Sequence, residues 1–152
     1  KNLVLELNQQ LRESMPIGRF VATTVVCLDE STKSGEIWIG GTPSAYLIDR
    51  WGRPSREFTS SHLPLGILGN AEMDAEPVRF TWDPESQLIL GSDGLYEADN
   101  AAGLQFGSAR LLETIAHTSP GERFQAILDA LHQHLGGNRA ADDVSLMLIS
   151  CP

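Results

Sequence analysis

Two short acidic stretches hold the residue types that could do chemistry. In "LILGSDGLYEADN", residues 88–100, the apolar run Leu88-Ile89-Leu90 stops at Gly91-Ser92-Asp93-Gly94. In "AADDVSLMLI", residues 140–149, Asp142 and Asp143 stand immediately before an apolar, β-branched run. Each places carboxylates where a strand meets a loop. If the two strand ends are neighbours, the carboxylates converge on one rim of a sheet. Converging carboxylates repel one another and are tolerated when a cation lies between them. An all-oxygen donor set selects hard ions such as Mg²⁺ or Mn²⁺. Taken singly, each stretch also has a plain structural reading, because Asp-Gly is a common turn and paired acids often cap or solvate a strand end.

Other chemistries lack their spacing. No G-x-x-x-x-G-K phosphate loop, G-x-S-x-G elbow or zinc-spaced Cys/His pair occurs. His132 and His134 are two apart, which points them to different helix faces and to solvent. His62 and His117 are isolated and read as surface or capping residues.

The elements that must position the acids follow from periodicity. Residues 3–12 place Leu3, Val4, Leu7 and Leu11 on one helical face, ended by Pro16 and Gly18. "RFVATTVVCLD" (19–29), "EIWIGG" (36–41) and "SAYLIDR" (44–50) read as strands, with Cys27 as a small core residue. "WGRPS" reads as a turn, and residues 60–76 as a long loop carrying "LPLGIL". "EPVRFTW" and "QLILGS" read as a hairpin. Beyond Gly107 the period becomes helical. Leu111, Leu112 and Ile115 mark one helix; Phe124, Ile127, Leu128, Leu131 and Leu135 mark a second. Ser119-Pro120 fits the start of the second helix and Gly136-Gly137 its stop. "DVSLMLIS" closes the chain as a strand. Strands and helices segregate, which predicts an α+β class with mostly antiparallel sheet in a single domain over 1–152.

Bulk composition narrows the function. A chain of 152 residues, 41% hydrophobic, is long enough for one domain with one core. A formal charge of −9 repels phosphate backbones and excludes nucleic acid as a natural partner, while favouring divalent cations. No apolar run reaches the roughly 18 residues of a membrane span, and no leader pattern opens the chain. Two distant cysteines do not make a disulfide framework, so a reducing, cytoplasmic setting is expected. The first residue, Lys1, points to a piece of a longer protein.

Taken in order, these stretches resemble the metal-dependent PPM protein serine/threonine phosphatases, in their SpoIIE/RsbU-like bacterial branch. "LVLELNQQL" is similar to that branch's Leu-Asn-x-x-Leu helix and "RFVATTVVCLD" to its Phe-Val-Thr strand. "GEIWIGGTPSAYLI" sits where the family has an Ala-Gly-His-Pro-Pro turn, and "LPLGIL" matches its Pro-Leu-Gly loop. "LILGSDGLYEADN", "FGSARLLETI" and "ADDVSLMLI" match its Ser-Asp-Gly, Phe-Gly-x-x-Arg-Leu and Asp-Asp stretches.

The resemblance implies a β-sandwich flanked by helices, N-terminally incomplete, with a two-ion Mn²⁺ or Mg²⁺ site at one end. It implies hydrolysis of phosphoserine or phosphothreonine on a small regulatory protein of the anti-anti-sigma type, by water that the metal ions activate. Carried onto this chain, Asp93 is a metal ligand and the Asp142-Asp143 pair supplies another, with Asp142 the first choice. Gly94 allows the turn that aims Asp93, Ser92 shapes the site, and Glu97 has a capping role. The family's Gly-Gly-Asp and Asp-x-x-Gly-His-Gly stretches, which hold the other metal-binding aspartates, are not among these residues and are expected upstream of Lys1. So is a sensor or receiver domain. The competing expectation is a degenerate phosphatase-like module that binds a regulatory protein without catalysis. An uncovered sheet edge in so partial a domain predicts aggregation or a homodimer.

Overall fold

The computed structural model describes all of residues 1–152. In chain order the elements are α1 (Asn2–Ser14), β1 (Thr23–Asp29), β2 (Ser34–Gly40), β3 (Ala45–Ile48), β4 (Pro54–Phe58), β5 (Val78–Thr81), β6 (Ser86–Gly91), α2 (Asp93–Tyr96), α3 (Gly107–Ile115), α4 (Arg123–Leu135) and β7 (Leu146–Cys151). The chain divides into two compact units: Lys1–Thr42 with Phe58–Thr81, and Pro43–Glu57 with Trp82–Pro152. Strands and helices segregate and the strand ladders are antiparallel, as expected for the α+β class.

The first unit carries a three-stranded antiparallel sheet in the order β1-β2-β5. The β1–β2 turn closes on Asp29, whose Oδ1 accepts from the Ser31 N–H (2.9 Å) and hydroxyl (2.6 Å). Those bonds hold the Asp29 carboxyl below its ordinary range. α1 buries Val4 with Trp38, Leu65 and Ala75. Its second buried residue is polar: Asn8 is fully enclosed. Asn8 Nδ2 donates to the Leu68 carbonyl (3.0 Å) and Asn70 Oδ1 (2.7 Å), and its Oδ1 accepts from Gly66 N–H (2.8 Å). The side chain thereby satisfies the backbone of the long loop that strand pairing leaves unmatched.

The second unit carries a four-stranded sheet in the order β4-β3-β6-β7. Its core joins Tyr46, Ile48 and Ile89 of the sheet to Leu111 and Ile115 of α3 and Ile127, Leu131 and Leu135 of α4. Each fully buried Leu or Ile contributes about 1.5–3 kcal/mol relative to exposure. Gly136, at φ 58°, ends α4 in a left-handed cap.

Several sequence expectations need correction. "EPVRFTW" and "QLILGS" are not a hairpin: β5 pairs with β2, and β6 with β3 and β7. The Phe80 ring fills the place of Gly35's missing side chain, where a Cβ would stand 2.7 Å from it. β6, with Leu88 and Ile89 wholly buried, is one of the two inner strands of the other sheet. "WGRPS" leads into a strand, β4, whose polar residues suit a sheet edge and whose Pro54 sits at its first position. Leu3 and Leu7 are exposed and do not form the core face of α1. Phe124 is exposed while Arg123 is buried. α4 begins at Arg123 and not at Pro120, and the Ser119 hydroxyl donates to the Glu122 carboxylate instead of capping the helix. Cys27 is exposed, because strand alternation puts it beside Glu36, whose partner across the sheet is Arg79. His62 is not a surface residue: its ring stacks on Trp38 at 5.1 Å. His134 does not face solvent freely either, since Nδ1 meets Arg110 Nη1 (2.6 Å) and Nε2 meets the Ala98 carbonyl (3.0 Å).

Candidate functional site

The antiparallel β6–β7 ladder ends with Gly91 opposite Leu146, so the residues just beyond it on both strands leave the sheet side by side. Those residues are Ser92-Asp93-Gly94 and Asp142-Asp143-Val144-Ser145. Ser92 is extended (φ −75°, ψ 165°) and precedes the single turn of α2. Its N–H donates to the Ser145 carbonyl (2.9 Å). Its hydroxyl accepts from the Ser145 N–H (2.9 Å) and donates to the Asp143 carbonyl (3.2 Å). One serine side chain therefore ties the first acidic stretch to the second.

Gly94 completes the tie by being small. It is buried, and a Cβ on it would stand 2.4 Å from the Asp143 carbonyl oxygen, well inside contact distance. Gly94 lies in the single turn of α2, and the close approach of the facing backbone is what demands glycine there.

The carboxylates are exposed, and none forms an ion pair. Asp93 Oδ1 accepts from the Gly94 N–H (2.9 Å), and Asp142 Oδ1 from the Asp143 N–H (2.7 Å). The other oxygens point to no protein donor. Two acidic stretches held backbone to backbone, with no protein cation to offset them, fit the oxygen donor set of a hard divalent ion. The fit is partial in number: no group of three or more His, Cys, Asp or Glu side chains gathers as a metal cage.

Beside Asp93 opens a cleft of about 410 Å³. Tyr46, Glu57, Tyr96 and Glu97 line it. The Tyr46 hydroxyl donates to Glu57 Oε1 (3.2 Å), and the Tyr96 hydroxyl to the Ser44 carbonyl (3.4 Å). Burial is the main reason both phenols sit above their ordinary pKa, with nearby carboxylate charge adding to it. Glu97 closes α2 through its N–H to the Asp93 carbonyl (2.8 Å) and also forms part of the cleft wall. Sequence spacing gives no sign of Tyr46, Glu57 or Tyr96. They come from different strands and a helix, and the strand that carries Glu57 begins within the stretch "WGRPS" that reads as a turn.

Solved structures share this architecture. The SiaA-PP2C domain of Pseudomonas aeruginosa superposes with a TM-score of 0.81 at 19% identity, over 97% of this chain and 59% of that one. The RsbU and RsbW domains of a Mycobacterium tuberculosis protein give 0.72 at 18% identity, over 95% of this chain and 40% of that one. The phosphatase domain of the cell fate determinant SpoIIE from Bacillus subtilis (Mn presoaked) gives 0.65 at 14%, over 99% and 74%. The fold is thus that of PP2C-type phosphatase domains, of which this chain spans 59% in the SiaA case. No curated protein sequence is significantly similar to it. The family model of stage II sporulation protein E (SpoIIE) matches residues 1–152, and the chain belongs to that family.

Proposed function

We propose that this chain forms part of a metal-dependent phosphoprotein phosphatase acting on phosphoserine or phosphothreonine of a small regulatory protein in bacterial signalling. The observation that carries the reading is the Ser92–Gly94 tie, which holds Asp93 beside Asp142 and Asp143 at one strand end. Asp93 and Asp142 would hold Mn²⁺ or Mg²⁺, with Asp143 the alternative ligand. The family match runs over both compact units, which supports treating 1–152 as one phosphatase-type domain. No helix is long and apolar enough to cross a membrane. A cytoplasmic setting, with an upstream sensor or receiver domain, belongs to the same proposal.

Bound divalent ions supply charge neutralisation at the phosphoryl group and acidify water at neutral pH. The chain's own contribution is positional. Ser92 and Gly94 fix the spacing of the two acidic stretches, and Asp93 opens onto a cleft of about 410 Å³. The full set of ligands for two ions needs further oxygens beyond those gathered here. That shortfall favours a second reading, a phosphatase-like module that docks a regulatory protein without turnover.

Phosphate release from a phosphoserine protein, measured on the full-length protein with added Mn²⁺, separates the two. Catalysis predicts turnover that Asp93→Asn reduces by about 100-fold, the upper end of what losing a group that merely supports a metal ligand costs. Full activity in Asp93→Asn sinks the catalytic reading. Binding of the phosphoprotein with no phosphate release favours the docking module.

A further inference from the structure

The first unit holds a cleft of about 360 Å³ between the end of α1, the turn that follows it and the Gly66-Ile67 backbone. Its apolar surface is open to solvent: Phe20 is 59% exposed, Ile67 44%, and Ile17 wholly so. The two charged residues that line it are both arginines, Arg12 and Arg19. Neither forms an ion pair. The chain as a whole has 20 acidic residues against 11 Lys and Arg, so a cleft with two cations and no acid in its lining runs against the charge of the molecule.

The cleft is also pre-formed. Val21 and Leu65 exchange backbone hydrogen bonds, both at 2.9 Å, and the Arg19 N–H closes a turn on the Pro16 carbonyl (3.1 Å). Gly66, at φ 95°, lets the loop backbone come against Met15 and Arg19; a Cβ there would stand 3.0 Å from the Met15 methyl. The Asn8 side chain pins the same Gly66 N–H from below. An apolar groove that keeps its shape without an occupant loses little entropy on filling.

We propose that this cleft docks an acidic peptide segment of a partner protein, in which one or two bulky apolar side chains sit between carboxylates. The apolar side chains would lie against Phe20, Ile17 and Ile67, and the flanking carboxylates would meet Arg12 and Arg19. Guanidinium groups suit this role because they bind carboxylates in two-pronged fashion and tolerate partial desolvation. The proposal is independent of whether the Asp93 site is catalytic.

The probe is a fluorescein-labelled twelve-residue peptide with two central leucines flanked by glutamates, titrated with the full-length protein by fluorescence anisotropy. It should bind, and raised salt should weaken it. Arg19→Glu and Arg12→Glu should each weaken it by about tenfold, the scale of a reversed charge at an interface rim. Both arginines are exposed, so unchanged circular dichroism and melting temperature of the variants keep the comparison fair. Equal binding of a lysine-flanked peptide, or of the glutamate peptide to the double Glu variant, overturns the proposal. So does self-association in sedimentation velocity that Ile17→Asp abolishes, because the occupant is then a second copy of this chain.

Discussion

Ser92 places one oxygen where it accepts a hydrogen bond from one strand end and donates another to the same segment. Removing it leaves the Ser145 N–H and the Asp143 carbonyl without this partner. Ser92→Ala should cost about 1–2 kcal/mol in urea unfolding, the range for lost intramolecular hydrogen bonds. It should also speed hydrogen exchange at the Ser145 amide. Gly94→Ala should cost about 1–3 kcal/mol, since its methyl meets a backbone carbonyl that cannot rotate away. If Gly94→Ala melts like the parent, the close approach is not a constraint. The two tyrosines of the cleft give a pH signature. Both phenols are raised above their ordinary pKa of 10.0, so their protons stay bound in the folded state where the unfolded chain would release them. Their stabilising contribution is complete below pH 10 and declines as pH rises through that value. Absorbance at alkaline pH should show both phenols ionising late, together with unfolding.

At the scale of elements, α4 is held at its start by a buried cation. Arg123 Nη1 donates to Gln87 Oε1 (3.1 Å) and Nη2 to the Asp49 carbonyl (2.8 Å), while Nε has no partner. Burial lowers its pKa, though a guanidinium remains protonated at neutral pH. Gln87 in turn donates to the Pro120 carbonyl (3.0 Å), so a helix, an inner strand and two turns share one network. Arg123→Ala should destabilise by about 2–4 kcal/mol, measured by thermal unfolding, because it removes packing and leaves buried acceptors bare. The sequence pattern could not show this network, since a charged residue at 123 and an apolar Phe124 suggest the opposite inside-outside order. For the same reason α1 was legible as a helix but not in its buried face: Asn8 earns its place by bonding a loop some 60 positions away. The acidic strand ends were legible because an abrupt change from apolar to Ser-Asp-Gly or Asp-Asp is local. The pairing of β5 with β2 was not, since it depends on Phe80 finding a gap at Gly35.

At the scale of the whole molecule, a net charge of −9 opposes association while exposed apolar groups favour it. Leu3 and Leu7 lie one turn apart on α1 and are 55% and 36% exposed. β7, at the edge of the four-stranded sheet, carries Met147 at 59% exposure. The isolated 16.6 kDa chain should therefore self-associate, more so as salt screens its charge. Light scattering coupled to size-exclusion chromatography measures this directly. Leu3→Lys with Leu7→Lys should lower the mass, whereas a single 16.6 kDa species at every concentration and salt level would falsify the expectation.

The β6–β7 register acts as a ruler for the acidic pair. Gly91 faces Leu146, and everything from Asp143 to Ser145 is measured from that point. The stretch between Gly136 and Ala141 has no such reference, since it only spans from the end of α4. Extra residues inserted at 137–140 can bulge outward and leave Asp142 and Asp143 beside Asp93. One extra residue between Asp143 and Leu146 must either break the Ser92 tie or slip the ladder by one step, which turns each β7 side chain to the opposite face. The span in which length can change and the span in which it cannot are thus only a few residues apart.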